Sequence, residues 1–181
     1  SDDEGVVVVG CAGGPVVKVN VPIRKVPADH KKEYYAIKIT GLRGGHSGED
    51  IHRGRANANK LLIRVLRALE ENVRFDLSDI TGGLKYNAIP RNAEAVIGIE
   101  KEDKAAVDAV IERFSGIFAD EYRVNDPGIT LESVPRETAD HILDEASSRR
   151  VLDYIDFTET GIIRRDQDYP QFVESSVSLG T

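Results

Sequence analysis

Residues 34–42 read Tyr34-Tyr35-Ala36-Ile37-Lys38-Ile39-Thr40-Gly41-Leu42, and in them Tyr35, Ile37 and Ile39 alternate with Lys38 and Thr40. A period of two puts one set of side chains on one face, so the stretch is predicted as a half-buried strand. The glycine loop Gly44-Gly45-His46-Ser47-Gly48 follows it. Leu61, Leu62, Val65, Leu66 and Leu69 then recur at helical spacing, which predicts an amphipathic helix opening near Asn57. Val73, Phe75 and Leu77 alternate as a second strand leading to Thr81-Gly82-Gly83. After the turn Asn87-Ala88-Ile89-Pro90, the residues Ala93, Ala95, Ile97 and Ile99 form a third. Val107, Val110, Ile111, Phe114, Ile117 and Phe118 return to helical spacing, and Asp126-Pro127-Gly128 turns the chain into a fourth strand, Ile129–Val134.

Strand, helix, strand, strand, helix, strand is the order of a ferredoxin-like split βαβ unit. The predicted class is therefore α+β, an antiparallel sheet with two helices on one face. Upstream, Val6–Val9 and Val16–Val21 are predicted as two short strands split by Gly13-Gly14-Pro15. Downstream, a third helix is predicted from Ala139 to Ile155, then a loop holding Arg164, then a last strand near Phe172–Leu179. Residues 1–33 are expected to form a connecting segment and 34–181 the domain proper.

Composition narrows the partners. The chain has 181 residues, 24 basic against 31 acidic, for a formal charge of −7. That balance repels a phosphate backbone, so no nucleic-acid partner is expected. Val6–Val9 is the longest apolar run, far below the roughly 20 residues of a membrane span. One cysteine, Cys11, leaves no internal disulfide and fits either a reducing compartment or indifference to redox conditions. There is no methionine, and the polar opening Ser1-Asp2-Asp3-Glu4 has none of the order of a signal peptide. The chain is expected to be a segment of a longer protein.

Four groups of residues could carry chemistry. His46 sits among glycines, where backbone and ring can approach another molecule closely; the alternative is an exposed loop histidine. His46, Glu49 or Asp50, and His52 offer imidazole and carboxylate to a metal, but their spacing fits no compact ligand pattern and a third strong ligand is missing. Arg164 offers a guanidinium fork to a carboxylate; the alternative is a surface arginine paired with Asp166 or Asp168. Glu70-Glu71 point about 100° apart on a helix and read as a solvated helix end.

The stretch Gly41-Leu42-Arg43-Gly44-Gly45-His46-Ser47-Gly48-Glu49-Asp50-Ile51-His52-Arg53-Gly54 carries more than this. Together with Asn57-Ala58-Asn59-Lys60-Leu61-Leu62 and Asn87-Ala88-Ile89-Pro90-Arg91, it closely resembles bacterial aminoacyl-histidine dipeptidases. These are Xaa-His, carnosinase-type enzymes of the dizinc exopeptidase superfamily. Glu4-Gly5, Gly10-Cys11-Ala12-Gly13-Gly14, Val26-Pro27-Ala28, Gly161-Ile162-Ile163-Arg164 and Val173-Glu174-Ser175-Ser176 extend the resemblance across nearly the whole chain. Two departures stand out: Asn92 where a glutamate is usual, and Glu159-Thr160 in place of Pro-Asn.

What the resemblance implies is specific. Such enzymes have a catalytic domain that binds two zinc ions, replaceable by cobalt or manganese, and an inserted lid or dimerisation domain. This chain resembles the insertion. By that likeness it carries no zinc ligand itself, its partners are its own catalytic domain, a second copy and a dipeptide, and its location is cytoplasmic. His46 would polarise the scissile carbonyl, in trans within a dimer. Asn87 would help hold the substrate or its oxyanion, and Arg164 would clamp the free carboxylate. A reading of another class is a non-catalytic ferredoxin-like module for ligand binding or assembly, in which His46 and Arg164 are unrelated surface residues.

Overall fold

The computed structural model describes residues 13–181. Ten strands and three α-helices follow one another: β1 (Lys25–Pro27), β2 (Glu33–Thr40), β3 (Gly45–His46), α1 (Ala58–Glu70), β4 (Phe75–Gly82), β5 (Ala88–Ile89), β6 (Ala93–Ile99), α2 (Lys104–Glu121), β7 (Thr130–Arg136), β8 (His141–Leu143), α3 (Glu145–Phe157), β9 (Gly161–Arg165) and β10 (Val173–Val177). The main sheet runs β4-β6-β2-β7, antiparallel at every pairing. That is the strand order of a split βαβ unit, as the periodicity of the sequence predicts.

The alternation in β2 is resolved by its neighbours. Ile37 lies opposite Ala95 of β6 and Ser133 of β7, and Ile39 opposite Ala93 and Leu131. Tyr35, Ile37 and Ile39, with Ala95, Ile97 and Leu77, form the buried face of the sheet against the helices. The opposite face buries Tyr34 and Ala36 and carries ion pairs around them. Lys38 Nζ lies 3.3 Å from Glu94, Lys32 Nζ lies 2.8 Å from Asp76, and Arg136 pairs with Glu94.

Helix α1 is the centre of the core because it packs against the sheet, α2 and α3 together. It buries Leu61, Leu62, Ile63, Val65, Leu66 and Leu69. At about 1.5–3 kcal/mol for each buried Leu, Ile or Val side chain, this one helix contributes a large part of the hydrophobic stabilisation. Asn57 caps it, its side chain accepting the amides of Asn59 and Lys60, so two N–H groups of the first turn are satisfied. Truncating Leu66, which is fully buried, would cost about 2–5 kcal/mol through lost transfer energy and the cavity left behind.

Three expectations are corrected. Residues 16–21 are not a strand. Val16, Val17 and Val19 are exposed, and β propensity without a neighbour to complete a ladder does not make one. The first described strand is β1, tied to β8 with Val26 opposite Ile142; the predicted strand Val6–Val9 lies outside the described residues. The third helix begins at Glu145, six residues later than predicted, because Ile142 and Leu143 belong to β8. Asp144 is its cap, accepting the Ser147 amide at 2.8 Å. Arg164 lies not in a loop but in β9, which pairs antiparallel with β10.

Candidate functional site

Two segments that the sequence shows as loops meet as a miniature sheet. Gly45 lies opposite Ile89 and His46 opposite Ala88, and the Ser47 amide donates to the Asn87 carbonyl at 2.9 Å. His46 and Asn87, 41 positions apart in sequence, are thereby neighbours within one chain. Pairings of two residues leave no periodicity to read, which is why the sequence does not reveal them. The loop needs its glycines for room: Gly45 has φ of +146°, and a Cβ there would run into the side chains of Arg55 and Asp50.

The imidazole of His46 is exposed, yet it is held firmly. Its Nδ1 accepts the amides of Gly48 at 3.2 Å and Glu49 at 3.1 Å. A nitrogen that accepts two N–H groups carries no proton, so these bonds assign the neutral ring its hydrogen on Nε2. Nε2–H is therefore a donor on the outward side of the ring.

The loop backbone is held by charged side chains. The His46 amide donates to Asp50 Oδ2 at 2.8 Å, and the Asp50 amide donates to the His46 carbonyl at 3.0 Å. Asp50 also pairs with Arg53 Nε at 2.9 Å and Arg55 Nη1 at 3.7 Å, while Arg55 donates to the Gly44 carbonyl. The His46 amide, with Arg53 and Arg55 adding to it against a smaller opposing effect of burial, holds the Asp50 carboxyl below the usual carboxylate range. By residue type and spacing Asp50 is only a candidate metal ligand; its place is in the frame of the loop.

Arg164 lies on β9. Its Nε lies 2.8 Å from Glu174 of β10, not from Asp166 or Asp168; Asp166 instead caps the hairpin turn, accepting the amides of Asp168 and Tyr169. Strand β9 packs beside the 3-10 turn Ile51–Arg53 that closes the histidine loop. The hairpin carries exposed Ile163, Tyr169 and Phe172, and exposed Leu84 and Tyr86 shortly precede Asn87. Thr160 ties the hairpin to the segment at Leu179, because its hydroxyl accepts the Leu179 amide at 3.4 Å.

Metal binding can be tested directly. Among the described residues, no three His, Cys, Asp or Glu side chains gather as a cation would require. The set of His46, Glu49 or Asp50, and His52 does not gather in this way, and both Asp50 oxygens are engaged, Oδ2 by the His46 amide and Oδ1 by Arg53. Nor does any helix among the described residues have the length and apolarity to cross a membrane.

A split βαβ unit that presents a histidine on a glycine-rich loop defines a class, and the comparisons give it a name: residues 37–126 match the family described as peptidase dimerisation domain, and the chain carries that domain. It is 32% identical over 183 residues to the cytosol non-specific dipeptidase of Escherichia coli (strain K12), covering 99% of this chain and 37% of that protein. The crystal structure of aminoacylhistidine dipeptidase from Vibrio alginolyticus is similar with a TM-score of 0.83 at 26% identity, over 87% of this chain and 32% of that one. The chain thus spans about a third of the length of the relatives it matches.

Proposed function

We propose that this chain is the lid and dimerisation domain of a metal-dependent dipeptidase that acts on Xaa-His type dipeptides in the cytoplasm. In the full-length enzyme it pairs with a second copy and covers a catalytic domain that holds the metal, taken to be zinc. The observation that supports this reading is the state of His46. Two backbone amides occupy Nδ1, which leaves Nε2–H as an outward donor where a substrate carbonyl could receive it.

A fixed donor aimed at the oxygen of a scissile carbonyl stabilises the negative charge that grows there during hydrolysis. His46 takes this role, in trans from the partner subunit of the dimer. Asn87, held beside it by the β3–β5 pairing, binds the substrate or the same oxygen. Arg164 receives the free carboxylate of the dipeptide and orients it, which restricts the enzyme to very short peptides. To do so it shares or exchanges its present partner Glu174. No step is assigned to metal ligands in this chain, since its described residues do not form a set that fits one.

The test is the full-length parent enzyme assayed on Xaa-His dipeptides, on matched non-histidine dipeptides and on tripeptides, before and after chelation. Hydrolysis confined to dipeptides, highest on Xaa-His, abolished by chelation and restored by zinc, is the expected result. Turnover of long peptides at equal rates would remove the carboxylate clamp from the scheme, and activity that survives full chelation would remove the metal.

A further inference from the structure

Asp126 is 1% exposed and stands in the turn between α2 and β7. Its Oδ1 accepts the amide of Arg43 at 2.8 Å, 83 positions away, and its Oδ2 accepts the amide of Ala56 at 2.7 Å, 70 positions away. Arg43 and Ala56 are the two ends of the segment that carries His46. One carboxylate therefore staples the loop at both feet.

The local turn does not need this carboxylate. The bonds of the turn itself run through the backbone, from the Asp126 amide to the Tyr122 carbonyl and from the Ile129 amide to the Asp126 carbonyl, and any residue other than proline could make them. Among the described residues the side chain has no cationic partner within ion-pair distance. Burying a carboxylate is costly unless donors compensate it, and hydrogen bonds to an ionised acceptor are about twice as strong as neutral ones. Both of its side-chain bonds go to the loop. The neighbouring residues act in the same direction. Asn125 Nδ2 donates to the Gly54 carbonyl at 3.0 Å. Gly41, with φ of +80°, approaches Gly128 so closely that a Cβ would overlap its carbonyl oxygen.

We propose that Asp126 is a positioning residue for His46: its two anchored oxygens set the separation of the loop's ends, and through them the place where Nε2–H is presented. This rests on the proposed role of His46 as carbonyl donor. Asp126 does not contact substrate or metal; it acts through the imidazole.

The test is a double-mutant cycle in the full-length enzyme, using His46→Ala, Asp126→Asn and the pair, with kcat and KM measured on a dipeptide. Asparagine keeps the shape but offers only one acceptor oxygen, so Asp126→Asn is expected to lower kcat about tenfold with KM changed less than about twofold. In the His46→Ala background the same change should cost less than about twofold, because residues acting through one another are not additive. Losses that multiply in the pair overturn the positioning role. If His46→Ala alone leaves kcat intact, the failure lies in the reading of His46 rather than in the staple. If neither Asp126→Asn nor Asp126→Glu yields folded protein by circular dichroism, the carboxylate serves the core and the proposal is overturned.

Discussion

His46 and Asp50 bind each other twice: the His46 amide donates to the Asp50 carboxylate at 2.8 Å, and the Asp50 amide donates to the His46 carbonyl at 3.0 Å. The residue that presents the imidazole and the residue that shapes its backbone are thus one closed unit, four positions apart. Loss of the ring can therefore be separated experimentally from loss of the loop.

Replacing His46 by alanine removes the ring and leaves both backbone bonds to Asp50. In the full-length enzyme kcat should fall by about 10²–10³, the usual cost of losing one donor to a developing oxyanion, while the dimer persists. Steady-state kinetics and sedimentation measure the two. A fall of less than about threefold would take the imidazole out of the chemistry.

Arg164 should act on binding rather than turnover. Lysine keeps the charge but not the fork, so Arg164→Lys is expected to raise KM for a dipeptide about tenfold and to change kcat less. The matching dipeptide amide, which lacks the carboxylate, should be hydrolysed equally by both enzymes. An equal penalty on the amide would place Arg164 outside the carboxylate's reach.

Asp50 makes the loop acid-sensitive in a defined window. Its folded value lies below the ordinary 3.8, chiefly because of the His46 amide. The stabilisation is therefore complete well above pH 3.8 and disappears as pH falls through the folded value. Followed by NMR from pH 6 downward, the His46 amide should show no step from Asp50 until below about pH 3.8. A step assigned to Asp50 above pH 4 would contradict the hydrogen bond.

Lys60 joins two helices. From the first turn of α1 its Nζ donates to the carbonyls of Ile155, Asp156 and Thr158 at 3.0, 2.6 and 3.1 Å, capping the end of α3 with a cation where the helix dipole is negative. Burial pushes its ammonium down from its ordinary value, with Asp156 partly offsetting this. Lys60→Met keeps the apolar stem and leaves the carbonyls without a donor. It should cost about 1–3 kcal/mol in urea unfolding, and a loss under about 0.5 kcal/mol would mean that water caps α3 as well.

Much of the fold can be read from residue order alone, and the limits have physical causes. The period of two in Tyr35, Ile37 and Ile39 and the stripe from Leu61 to Leu69 are long enough to be unambiguous, and Asn57 is the cap its residue type suggests. Ile142 and Leu143 are two apolar residues that fit a helix stripe or a strand equally; what separates them is β1, a partner more than a hundred positions upstream. Gly161 suggests a loop at Arg164, whereas its φ of +114° introduces a hairpin strand. In the candidate site, family likeness singles out His46, Asn87 and Arg164, and the structure adds that the first two are adjacent. Asp126 reads in the sequence only as part of a turn. Nothing local distinguishes it, because both groups it binds are brought to it by the sheet.

The two amides on Nδ1 of His46 carry a thermodynamic consequence. An exposed side chain normally surrenders its rotamer freedom when it meets a ligand, at about 0.5–1.5 kcal/mol for a mobile one. Here that ordering has been completed during folding, by bonds inside the same short loop. The imidazole is therefore a finished part before any ligand arrives, and whatever it meets has only to come within reach.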